Sequence, residues 1–189
     1  WFDGAEAHRV KAAPRIVRAA STPELDHLTG DAAAAYPPVL GLKRYIRHLL
    51  FLKPDVLIVA DDILLDKTRE LELRFHPERR NVERDNPAFL IPGRNAVLRL
   101  NPLTPGGVAL SFETMNAELE SGEIDTLPTV WLRTERKEWR NAVGLSWAGN
   151  KGEPARITVQ RERDIWTFTI DKRSVTLNWK TGKAEVISQ

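Results

Sequence analysis

Apolar and polar positions alternate with a period of two along most of this chain, and short polar breaks cut it into runs of strand length. The pattern is clearest from Lys43 to Phe75. Lys43–Leu52 (KRYIRHLLFL) is followed by Lys53-Pro54-Asp55, then Val56–Leu65 (VLIVADDILL), then Asp66-Lys67-Thr68, then Arg69–His76. Apolar runs of matched length, joined by breaks too short for crossover helices, predict three successive antiparallel strands with turns at Pro54-Asp55 and near Asp66-Lys67. Lys43–Leu52 also fits a helix with Tyr45, Ile46, Leu49 and Leu50 on one face. The strand reading is preferred because a β-branched run follows directly after a tight turn, and the segment is short for an isolated helix. As a strand it places Tyr45, Arg47, Leu49 and Phe51 on one face and Arg44, Ile46, His48, Leu50 and Leu52 on the other. Both faces turn apolar toward the C-terminal end, as in a strand packed on both sides. Phe51 and Phe75 are expected in the core.

The rest of the chain repeats the theme. Arg15–Ala20 is a short strand ended by Ser21-Thr22-Pro23, and Leu25–Leu40 reads as loop, with Ala32–Ala35 as one helical turn that Pro37 and Pro38 prevent from growing. Further strands are expected at Ala88–Ile91, Ala96–Leu100, Val108–Glu113, Thr129–Arg133, Ala142–Trp147, Ile157–Glu162, Ile165–Ile170, Val175–Trp179 and Ala184–Ile187. Asn116 to Gly122 is polar and acidic and reads as a protruding loop or one helical turn. About a dozen strands with short connections predict an all-β fold, an antiparallel β-sandwich forming one domain over residues 1–189, with 1–14 as a lead-in. No repeat of fixed period points to a propeller or β-helix.

Composition narrows the classes. The chain has 28 basic and 26 acidic residues, so its charge is nearly balanced, and acids interrupt the basic clusters at Arg79-Arg80 and Arg133–Arg140. A one-signed surface of the kind that binds nucleic acid is not indicated. No apolar run approaches the roughly 18 residues of a membrane span, and the longest, Val56–Leu65, is broken by Asp61 and Asp62. There are no cysteines, which excludes disulfides and thiolate metal sites.

Few residues suggest chemistry. His48 and His76 with Asp61 or Asp62 are candidate zinc ligands if strands bring them together; the alternative is that the aspartates make polar contacts at a sheet edge or bulge. Arg44 and Arg47 are candidates for gripping a substrate carboxylate through bidentate forks, or for pairing with an acid on a neighbouring strand. Among the tryptophans, Trp166 and Trp179 fit core-facing alternation, whereas Trp139, within RKEWRN, is expected to be exposed and able to stack on a sugar ring. No nucleophile elbow, phosphate loop or dinucleotide fingerprint is present.

The order Gly30-Asp31-Ala32-Ala33-Ala34-Ala35-Tyr36, then R-x-x-R-H-L-L-F-L-K-P-D from Arg44, then VLIVADDI, then LRFHPE resembles the C-terminal β-sandwich of heparinase II/III-like polysaccharide lyases. Asp3-Gly4 looks like the Asp-Gly such proteins carry just before this region. The resemblance implies a C-terminal domain of a larger lyase that cleaves uronate-containing polysaccharides by β-elimination. It also implies an N-terminal α/α toroid and an acidic polysaccharide as partners, with no nucleic acid or membrane, and a periplasmic or secreted setting. The family's Tyr and His catalytic residues, and a His/Asp/His zinc site, match no position here. The resemblance therefore implies that catalysis and any zinc lie upstream, with no cofactor in this chain. Trp1–Ala13, which has little periodicity, is expected to lead in from an upstream region. A stand-alone carbohydrate-binding sandwich and a purely structural interaction domain are the alternatives.

Overall fold

Strands are stable only when paired, and a computed structural model, which describes residues 14–77, 81–103, 106, 108–118, 124–149 and 151–187, shows the pairings. The strands are β1 (Arg15–Ser21), β2 (Leu25–Asp31), β3 (Leu42–Leu52), β4 (Val56–Phe75), β5 (Glu83–Asp85), β6 (Ala88–Pro92) and β7 (Ala96–Pro102). They continue as β8 (Ala109–Glu118), β9 (Ile124–Gly149), β10 (Ile157–Glu162), β11 (Ile165–Ile170), β12 (Arg173–Asn178) and β13 (Lys183–Ile187). Nine of them form one sheet in the order β1-β2-β3-β4-β9-β7-β6-β5, with β8 also paired to β9, and the last four form a meander. Every pairing is antiparallel, and the all-β sandwich expected from the alternation is the observed architecture.

Two cores hold the layers together. Between the sheets lie Leu50, Leu52, Val56, Ile58 and Ala142 from the large sheet and Ile157, Trp166, Phe168, Ile170, Val175, Leu177 and Trp179 from the small one. Gly144 faces this core opposite Ile58, and a Cβ there would run into Ile157 Cδ1, so glycine sets how closely the sheets approach. On the reverse face Tyr45, Ile63, Leu71, Phe89, Leu100, Val130, Leu132 and Trp139 form the second core. Phe89 of β6 meets Phe112 of β8 there at 6.4 Å between ring centroids. Each fully buried large apolar side chain contributes about 1.5–3 kcal/mol.

The expected β3 and its turn at Pro54-Asp55 are observed, but several expectations need correction. Arg69–His76 is not a third meander strand: β4 runs as one strand from Val56 to Phe75 and pairs with β9 on either side of a break between Leu64 and Arg69. The Asp66-Lys67-Thr68 break is an irregularity in β4, where the register jumps between Leu64 and Arg69 and the Asp66 amide donates to the Gly41 carbonyl at 2.8 Å. Gly41 has φ +66°, and a side chain there would collide with the Asp66 carboxylate. Thr129–Arg133 and Ala142–Trp147 likewise belong to one strand, β9. Leu25–Asp31, read as loop, is β2, because Leu25, His27 and Thr29 face inward in strict alternation. The helical turn expected at Ala32–Ala35 is a 3-10 turn over Ala33–Ala35. Phe51 and Phe75 are half-buried rather than core residues.

Replacing Phe168, which has no exposed surface, with Ala should cost about 3–5 kcal/mol in chemical denaturation. Phe51→Ala should cost clearly less, because its ring is partly in solvent already.

Candidate functional site

Successive residues of a strand point to opposite faces, so the adjacent carboxylates of Asp61 and Asp62 cannot share a site. Each meets an arginine of β3 on its own face. Arg47, opposite Asp61, donates from Nε to Oδ1 at 2.7 Å and from Nη2 to Oδ2 at 2.9 Å, with the Asp61 side chain 2% exposed. Arg44 holds Asp62 from the other face, with Nε 2.9 Å from Oδ2 and Nη2 3.0 Å from Oδ1, and also reaches Glu138 at 3.3 Å. Arg140 lies 3.8 Å from Asp62 and bonds Asp164 at 2.7 Å. Both arginines considered for a substrate carboxylate are thus bound to carboxylates of this chain.

Around Arg47 sits a polar group of the reverse face. Its guanidinium lies 5.6 Å from the Tyr45 ring centroid, Tyr45 is 5.8 Å from Tyr36, and the fully buried Asn141 is opposite Asp61. Burial drives the Tyr45 phenol far above the ordinary tyrosine value, and burial likewise raises Tyr36. Phenols held protonated in this way make poor general bases near neutral pH.

His48 lies elsewhere. On the face of the inter-sheet core, its Nδ1 is 3.2 Å from His27 Nε2, and Thr29 Oγ1 is 3.0 Å from each nitrogen. The Trp179 ring meets His48 edge-on at 5.7 Å between centroids. Desolvation first, then His27 and Arg18, push His48 down to about 4; desolvation and Arg18 lower His27 as well. His76 lies at the end of β4, where its Nδ1 is 3.0 Å from Thr129 Oγ1. His48, Asp61, Asp62 and His76 therefore do not converge, and among the described residues no group of three or more His, Asp or Glu side chains is arranged to hold a metal ion. His8 and Asp3-Gly4 lie outside the described residues.

The aromatic expectation also needs correction. Trp139 is 2% exposed, because β9 turns it inward beside Ile63 while its neighbours Lys137 and Glu138 stay in solvent. Trp131 is buried between the guanidiniums of Arg74 and Arg133, at 4.1 and 4.0 Å from its ring. Trp147 differs: it is half-exposed and stacks on Phe51 at 5.8 Å and 19°. This pair stands on an outward face of the large sheet that sequence reasoning passed over. The signal was present in β3, where Leu49 and Phe51 make the second face as apolar as the first. No helix among the described residues is long and apolar enough to cross a membrane.

No protein-family profile matches the sequence, and no curated protein matches it. Solved structures do match. A mutant of the heparan sulfate lyase HepC from Pedobacter heparinus superposes with a TM-score of 0.67 at 16% identity, over 93% of this chain and 28% of that one. Heparinase III superposes with a TM-score of 0.68 at 10% identity, over 93% of this chain and 27% of that one. At such identities the likeness is one of fold. The chain spans little more than a quarter of the length of these heparin lyases, so it resembles one domain of a larger protein.

The two buried imidazoles give a pH prediction. Their folded-state values lie below the unfolded value of about 6.5, so the unfolded state takes up protons first as pH falls. The stability they contribute is complete above about pH 6.5 and is lost progressively as pH falls toward about 4. Denaturation midpoints measured across this range should decline, and His48→Gln should flatten the decline. Separately, Arg47→Ala should cost about 3 kcal/mol by stranding the buried Asp61 carboxylate, and Arg47→Ala combined with Asp61→Asn should recover part of that.

Proposed function

We propose that this chain is the C-terminal β-sandwich domain of a heparinase II/III-like lyase that cleaves uronate-containing polysaccharides by β-elimination. It acts as the scaffold of that enzyme rather than its catalyst, and supports an N-terminal α/α toroid at the acidic-polysaccharide cleft. The observation that carries the reading is the fold match to heparan sulfate lyase HepC, which takes in 93% of this chain but 28% of the lyase. The order of motifs from Gly30 to Phe75 supports it from the sequence side.

The chemistry of the described residues fits the division of labour. β-Elimination requires a base poised to remove the proton at C5 of the uronate, neutralisation of its carboxylate, and an acid for the leaving oxygen. Here Tyr36 and Tyr45 are held protonated, Arg44 and Arg47 are already paired, and the neutral imidazoles of His27 and His48 are buried. On this reading the base, the acid and any zinc belong to the upstream domain, and the family resemblance implies a periplasmic or secreted setting.

The test is ultraviolet absorbance of the unsaturated uronate product on a panel of uronate polymers. The 189-residue chain alone should give none, while the polypeptide extended upstream by its natural sequence should be active. Turnover by the chain alone, lost on replacing Tyr36, Tyr45 or His48, would place a complete active site here and overturn the reading.

A further inference from the structure

The large sheet has two faces, and among the described residues part of one stays half-exposed. Register places Leu28 opposite Leu49, Leu49 opposite Val59, Phe51 opposite Leu57, Leu57 opposite Leu145, and Trp147 opposite Leu98. These side chains come from β2, β3, β4, β9 and β7 and lie on one face, the reverse of the inter-sheet core. Leu28, Leu49, Phe51, Leu57, Leu98, Leu145 and Trp147 are all half-exposed. One open groove is floored by Leu28, Leu49, Phe51 and Leu57, and a second by Leu98, Leu145 and Trp147. The stacked Phe51 and Trp147 rings join the two grooves. Charges stand at the margins, in the Asp26–Lys53 and Arg47–Asp61 pairs and at Arg94.

We propose that this face is the seat of a second folded domain of the same polypeptide, which lays an apolar surface of its own across it with Phe51 and Trp147 as anchors. The proposal rests on the lyase-domain reading above, and identifies which surface of the sandwich carries the contact. A continuous apolar patch with charge confined to its rim is the anatomy of a protein interface, and buried aromatic anchors at its centre are where binding energy concentrates. A polypeptide partner is favoured over a second copy because the solved lyases that share this fold hold the matched domain within a chain more than three times as long, 28% of HepC being matched. An upstream domain then meets the face at high effective concentration, without the entropy cost of bringing two molecules together.

Hydroxyl-radical footprinting of the 189-residue chain and of the upstream-extended polypeptide tests this. Labelling of Leu49, Phe51, Leu57 and Trp147 should fall at least about fivefold in the extended polypeptide, as interface cores exclude solvent. Ile165 and Ile187, exposed on the four-stranded sheet, should label equally in both. Leu57→Lys and, independently, Leu49→Lys should restore labelling of Phe51 in the extended polypeptide, with circular dichroism of the isolated chain unchanged. Equal labelling of the face in both forms overturns the proposal. So does protection already present in the isolated chain together with a dimer in sedimentation, which assigns the face to a second copy. Lyase activity is read on the same samples: protection without activity keeps the docking face and removes the lyase reading, and activity without protection does the reverse.

Discussion

The pairing of β4 with β9 is the constraint on which the rest of the structure depends. β4 is 20 residues long and β9 is 26, and their ladder runs from Val56–Ser146 to Phe75–Val130. The first half of the ladder supplies Ile58 and Ala142 to the core between the sheets and Ile63 and Trp139 to the core on the reverse face; the second half adds Leu71, Val130 and Leu132 to the reverse core. The irregularity between Leu64 and Arg69 shifts the register without ending either strand. Two cores are therefore fastened to one pair of strands.

That arrangement also decides where charge can go. Asp61 and Asp62 sit in the middle of β4, almost without exposure, and would be costly there unpaired. Arg47 and Arg44, two and one strand positions from Tyr45, project to opposite faces and neutralise one carboxylate each. The same economy holds for His27 and His48, which are kept neutral beside Thr29 where the four-stranded sheet closes over them. Polar groups of this kind fix register and layer packing, and their engagement within the chain is what supports the scaffold role proposed above.

Much of the fold was legible because strand alternation and turn residues are local. β3, the Lys53-Pro54-Asp55 turn and the four strands from Ile157 onward follow from period-two patterning and short polar breaks. What the sequence hid was long-range. A polar triplet such as Asp66-Lys67-Thr68 has the same composition in a hairpin turn as in an exposed bulge, and only the partner strand decides which forms. Trp139 looked exposed because Arg136, Lys137, Glu138 and Arg140 surround it, yet the alternation places it inward between solvent-facing neighbours. Candidate metal ligands failed for a related reason: period two sends Asp61 and Asp62 apart, and His48 pairs with β2 rather than with His76. The apolar face built on Phe51 and Trp147 was written in the pattern, but alternation cannot say whether an apolar face is covered.

If one pair of strands fastens both cores, the four-stranded sheet cannot melt away from the large sheet on its own. Differential scanning calorimetry of the 189-residue chain tests this most directly. A single transition is expected, with calorimetric and van't Hoff enthalpies in agreement at a ratio of about 1. Two resolved transitions, with the earlier one abolishing the Trp166 and Trp179 near-ultraviolet signal while β4 and β9 remain folded, would contradict it.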